Sequence, residues 1–159
     1  MLITVAAIGK LKAGPERDLF DHFLARAAAP GRKIGLTFTE RAFPESRADS
    51  AGARGAHEAA ALLTAVPTGA ILVALDEAGT SMTSNTFADR LGKWRDGGAA
   101  GVVFAIGGPD GHGPAIIEKA RLRLAFGAMT WPHRLVRVML AEQLYRAVTI
   151  LSGHPYHRA

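Results

Sequence analysis

Two runs of six residues, Ala70-Ile71-Leu72-Val73-Ala74-Leu75 and Gly101-Val102-Val103-Phe104-Ala105-Ile106, carry no polar side chain. A strand with one wet face alternates apolar and polar residues, whereas a strand that is apolar throughout needs cover on both faces. Two such strands imply a sheet between layers of helix, the plan of an α/β domain with a mainly parallel sheet flanked by helices. The rest of the chain fits. Leu2–Ile8 reads as a strand, and Pro15–Ala28 as an amphipathic helix with Leu19, Phe20, Phe23 and Leu24 on one side. Lys33–Thr39 reads as a second strand, residues 41–53 as a loop, and Ala56–Ala65 as a helix stopped by Pro67 and Gly69. Thr83 or Ser84 caps a helix to about Trp94. Ile116–Arg121 is expected to be a short helix, Leu122–Phe126 a short strand and Pro132–Ser152 the final helix. There is no internal repeat or linker, so one domain over residues 1–159 is expected.

In an open sheet of this kind, ligands bind beyond the carboxyl ends of the strands. Three segments lie there: Asp76-Glu77-Ala78-Gly79-Thr80, Gly107-Gly108-Pro109-Asp110-Gly111-His112-Gly113 and Gly127-Ala128-Met129-Thr130-Trp131-Pro132-His133. The second has four glycines in seven residues, which permits close backbone approach to a ligand or simply a tight turn. It lacks the G-x-G-x-x-G of a dinucleotide site and the Gly-Lys-Ser/Thr of a P-loop. Asp76 and Glu77 could act as bases or as loop ligands. His133 sits where a structural histidine is commoner than a catalytic one.

The net charge of +5 is unevenly placed. Residues 1–113 carry twelve Lys/Arg and twelve Asp/Glu, whereas residues 114–159 carry seven Lys/Arg against Glu118 and Glu142 alone. A basic last third fits an RNA or phosphate-bearing partner, or a solubilising face. Cysteine is absent, which excludes disulfides and thiolate metal sites. No uncharged run reaches membrane-spanning length, and Met1 leads straight into an apolar strand without a basic start. No membrane association and a cytoplasmic location are expected. The final helix is apolar in nearly every direction, which requires cover on more than one side. The sheet is one cover and a second subunit is the other expected one, making a homodimer. The chain then ends in His154-Pro155-Tyr156-His157-Arg158-Ala159, rich in groups that donate, stack and pair with phosphate. His154 and His157 have a metal-like spacing, but no acidic or thiol ligand lies nearby, so RNA contact or a structural use fits better and no metal is expected.

The run Val102–Gly111 resembles that of the SPOUT-class methyltransferases that modify 23S ribosomal RNA. Met129-Thr130-Trp131-Pro132-His133, Val136-Arg137-Val138 and Glu142-Gln143-Leu144-Tyr145-Arg146-Ala147 continue the likeness in order. The opening Ala7–Lys12 and the His-Pro-Tyr-His-Arg tail complete it across essentially the whole chain. Each segment is weak alone; together they are specific. The resemblance implies a SPOUT-type α/β fold with a C-terminal trefoil knot, an exception to the rule that chains do not thread their own loops. It implies an obligate homodimer, and S-adenosylmethionine as methyl donor, held mainly by backbone groups. Carried over by position, the cofactor-binding residues are Leu75, Gly108, Gly127, Ala128, Met129, Thr130, Trp131 and Pro132. The implied reaction is N3-methylation of a pseudouridine in 23S rRNA within the assembled ribosome. Tyr156, His157 and Arg158, with His154, fall on the substrate side: Arg158 for anion contact, and His157 or Tyr156 for orientation or proton transfer. The chain departs from the pattern at Trp131, where Leu or Phe is expected, at Thr80, where Lys usually follows the glycine, and over residues 54–58, usually more acidic. Rival readings are a non-catalytic RNA-binding module, a tRNA-modifying relative, and a small-molecule α/β enzyme. The last leaves the basic C-terminal third unexplained.

Overall fold

The structure, a computed structural model, describes residues 1–154. In chain order the elements are β1 (Leu2–Ile8), α1 (Pro15–Lys33), β2 (Thr37–Phe43), α2 (Ala51–Leu63), β3 (Ala70–Thr80), α3 (Ser84–Asp96), β4 (Gly101–Ile106), α4 (Pro114–Lys119), β5 (Leu122–Leu124) and α5 (His133–Leu151). The strands form one sheet in the order β2-β1-β4-β3-β5, and every pairing is parallel. The expected α/β architecture is therefore present.

β4 lies at the centre and is buried at all six positions. Its side chains alternate between two cores. Val102, Phe104 and Ile106 join Ile3, Val5, Val73 and Leu75 beneath α1, α3 and α5. Val103 and Ala105 join Ala6, Ile8, Leu72 and Ala74 beneath α2 and α4. The apolar runs thus have the two-sided cover that their composition demands.

Several boundaries differ from those expected. β2 spans Thr37–Phe43, not Lys33–Thr39, because its register follows β1 from Leu2↔Thr37 to Ile8↔Phe43. It is an edge strand, so its outward residues stay polar and its pattern is faint. α1 runs on past Ala28 through Pro30, since buried Gly31 packs against Phe38 and Leu36 N–H donates to Gly31 O at 2.9 Å. α2 begins at Ala51, where Ser50 Oγ accepts from Ala53 N–H. α4 starts at Pro114, a residue suited to a first helical turn. Thr83 caps α3 as expected.

The largest difference lies at β3, which continues to Thr80. Leu75 and Thr80 both pair with Leu124, so Asp76–Gly79 bow outward around the end of β5. The two backbones cross closely: a Cβ on Gly79 would lie 2.7 Å from the Arg123 carbonyl carbon and oxygen. Only glycine fits there. β5 ends at Leu124 rather than Phe126, and Ala125 N–H donates back to Thr80 O at 3.1 Å. The chain then returns to the face where α5 packs on α1 and α3. Those two helices supply part of the cover that the all-round apolar character of α5 requires.

Candidate active site

The carboxyl ends of β3, β4 and β5 open into a cleft of about 620 Å³, a size common for small-molecule sites. All three sequence-selected loops line it. Leu75, Ile106, Leu124, Phe126, Met129 and Trp131 give it apolar walls. Its charged lining is one-signed among the described residues: Asp76, Glu77 and Asp110 face it, and no described Lys or Arg does. Each carboxylate is tied sideways. Asp76 Oδ2 accepts from Arg123 Nε at 2.8 Å, and Asp76 Oδ1 from Ala78 N–H. Thr130 Oγ1 donates to Glu77 Oε2 at 2.6 Å, joining the third loop to the first. Arg54 of α2 donates to Asp110 Oδ2 at 2.6 Å and holds that carboxyl below its usual range. Such a cleft suits a ligand with positive charge and flat apolar parts, and disfavours a phosphate.

The glycine-rich loop is backed by α2. Gly108 O accepts from Gly111 N–H at 3.0 Å, closing a turn. A Cβ on Gly108 would lie 2.9 Å from Glu58 Oε2 and 3.1 Å from Ile8 Cγ2, so a side chain here would displace the Glu58 carboxylate or the loop. Glu58 is buried; its Oε1 accepts from Ser46 N–H at 3.0 Å.

A sequence model of the family described as "Predicted SPOUT methyltransferase" matches residues 1–157. A Nitrobacter hamburgensis protein named "Ribosomal RNA large subunit methyltransferase H" is 56% identical over 159 residues, covering 99% of each chain. Proteins of the same name from Bradyrhizobium diazoefficiens and Rhodopseudomonas palustris are 54% and 53% identical over 160 residues, each covering 100% of both chains. The chain belongs to the SPOUT methyltransferase family.

As in that family, S-adenosylmethionine is its methyl donor. The cleft of this SPOUT methyltransferase fits such a group. The donor carries a sulfonium and no phosphate, which matches the carboxylates that line the cleft and a glycine backbone without a P-loop. Leu75, Gly108, Gly127, Met129, Thr130, Trp131 and Pro132 line the cleft. Ala128 is exposed and does not. Met129 and Trp131 are exposed apolar side chains on its rim, at 72% and 40%. His133 lines it too, and burial, aided by nearby Arg137, pushes its imidazole pKa down. His154 is exposed and follows α5, whose nineteen residues span about 28 Å. Since α5 begins at the cleft, His154 stands at the far end of that helix. Tyr156, His157 and Arg158 lie outside the described residues.

Sequence reasoning overlooked two residues. His112 was read only as part of a glycine-rich turn, yet its ring lines the cleft and its Nε2 lies 3.0 Å from Leu75 O. Arg137 was noted only within the Val136-Arg137-Val138 likeness, yet it is 1% exposed. Its Nη2 donates to Ile8 O and Gly9 O at the end of β1. Nη1 stands 3.8 Å from Glu40, which Arg17 grips through both nitrogens at 2.8 and 3.0 Å. A helical periodicity that is apolar all round could have signalled that an arginine within it would be buried.

Among the described residues no helix is long and apolar enough to cross a membrane.

Proposed function

We propose that this methyltransferase modifies N3 of a pseudouridine in large-subunit ribosomal RNA, on the assembled ribosome in the cytoplasm, as a homodimer. The observation that carries the reading is the acidic, glycine-backed cleft, in a chain aligned end to end with relatives named for that RNA. The bow of Asp76–Gly79 around β5, followed by the return to the α1 and α3 face, supports a threaded C-terminal half, the trefoil knot.

The cofactor supplies an electrophilic methyl carbon. The chain must hold the acceptor in line with it and remove the N3 proton as the C–N bond forms. Loop backbone and the apolar walls fix the donor side: Leu75, Gly108, Gly127 and residues 129–132. The basic tail serves the acceptor side. Arg158 contacts the phosphate or the anionic ring, and His157 or Tyr156 orients the base or takes its proton, with His154 beside them.

Helix length bears on which tail serves which cleft. α5 carries its C-terminus about 28 Å from the cleft where it starts. The seven residues that follow Leu151, up to Arg158, reach at most about 25 Å when fully extended. To serve its own cleft the tail would have to run back, nearly straight, along the whole helix. A homodimer that sets the end of one α5 beside the other protomer's cleft brings the tail there without that reversal. Leu135, at 39% exposure, with Met129 and Trp131, offers apolar surface for that association.

Incubation with labelled S-adenosylmethionine and either naked rRNA, isolated large subunits or complete ribosomes tests the reading. Transfer to N3 of one pseudouridine in complete ribosomes is expected. Cofactor binding without transfer to any of the three would leave a non-catalytic RNA-binding module instead.

A further inference from the structure

His112 joins two of the three loops. It follows Gly111 at the turn of the second loop, and its Nε2 reaches the Leu75 carbonyl, where β3 leaves the sheet, at 3.0 Å. A carbonyl can only accept, so Nε2 carries the proton and the neutral ring has a bare Nδ1. That Nδ1 is buried and has no hydrogen-bond partner among the described residues. The neutral ring is therefore the form that the site accommodates. A second proton would place a positive charge in a largely buried ring on the wall of the cleft.

We propose that His112 is a positioning residue for the cofactor: neutral, it ties the glycine-rich loop to the end of β3, and protonated, it opposes the sulfonium of S-adenosylmethionine. The proposal rests on the reading of the cleft as the cofactor site. Its consequence is a distinction between donor and product. S-adenosylmethionine and S-adenosylhomocysteine share adenosine and an amino-acid tail, and differ by the methyl group and the sulfonium charge. A proton on His112 therefore competes with the donor and far less with the product. Binding linkage is reciprocal, so the donor must also lower the His112 titration midpoint.

The surrounding charges are Asp76 on β3, paired with Arg123 of β5, and Asp110 on the same loop, paired with Arg54 of α2. Glu77, bonded by Thr130, and His133 at the start of α5 complete the set. Burial lowers the His112 pKa from its ordinary value; the Leu75 carbonyl, Asp76 and the Ala105 backbone act against that. The sign follows. A histidine depressed in the folded state contributes stability above its unfolded pKa of about 6.5, and loses it as pH falls from there through the folded value.

Imidazole titration by nitrogen-correlated NMR on the full chain tests the proposal, for the free protein and for its complexes with S-adenosylmethionine and S-adenosylhomocysteine. The expected free protein shows the Nε2–H tautomer of His112 and a midpoint below 6.5, which the donor lowers further than the product does. Calorimetry between pH 7 and pH 5 is expected to show donor affinity falling about threefold more than product affinity. His112→Gln, which keeps an N–H donor and cannot titrate, is expected to abolish that difference, whatever its donor affinity at pH 7. Equal midpoints in the two complexes, or a difference that survives in His112→Gln, overturns the proposal. Absence of donor binding at pH 7 in the unaltered protein would instead overturn the reading of the cleft.

Discussion

The carboxyl edge of one sheet is finished in two ways. At the ends of β1 and β2 the space is closed by the chain itself: Arg137 reaches in from α5, donates to the Ile8 and Gly9 carbonyls and faces Glu40, which Arg17 holds. At the ends of β3, β4 and β5 the space stays open, and its carboxylates are tied back by Arg123, Thr130 and Arg54 rather than bridged across. The two regions are one turn of α5 apart, since His133 lines the cleft while Arg137 fills the neighbouring corner. The same topological position is thus used once for stability and once for a ligand. The difference lies in what fills the space: the closed corner holds a buried guanidinium beside Glu40, and the open cleft is lined by carboxylates whose arginine partners lie outside the lining.

Substitutions can break or sharpen that contrast. The largest effect is expected at the crossing that frames the open side. Gly79→Val would force two backbones apart where a Cβ already lies 2.7 Å from Arg123, with a loss of roughly 3 kcal/mol or more in urea unfolding. Arg137→Met comes next. It strips the Ile8 and Gly9 carbonyls of their donor and is expected to cost about 2–3 kcal/mol of stability, while donor affinity of the folded protein changes less than about threefold. Gly108→Ala should reverse that pattern, with stability nearly kept and donor affinity down about tenfold, because the loop must move away from Glu58. Glu58→Asp in that background should restore part of the affinity, which calorimetry would read. Arg54→Ala is expected to do least. It frees an exposed Asp110 and should change donor affinity by less than about twofold, and that small change should vanish at high salt.

How far the sequence disclosed this layout follows from where each signal resides. Ala70–Leu75 and Gly101–Ile106 announced the central strands because burial on both faces removes every polar position. β2 was displaced along the chain because an edge strand bearing Thr37, Thr39, Glu40 and Arg41 has no such constraint, and its register comes from β1. The extension of β3 past Leu75 was invisible because Asp76–Gly79 do not pair; only Gly79 marked it, and a glycine in a loop has many explanations. The three loops that line the cleft were legible from topology. His112 was not, because a turn rich in glycine draws attention to backbone. Nor was Arg137, since its burial depends on β1 carbonyls 128 residues away.

The open cleft differs from the closed corner in one more respect: its acceptor side is proposed to be the tail of another copy of the chain. Mixed dimers test this most directly. A cleft-defective variant with an intact tail, Gly108→Trp, is combined with a tail-defective variant with an intact cleft, Arg158→Ala, after each has been shown to be folded and inactive alone. If the tail of one protomer serves the other's cleft, random exchange makes half the dimers mixed, each with one complete site, and about a quarter of the unaltered methylation of ribosomes should return. No return of activity in dimers verified as mixed would contradict the account.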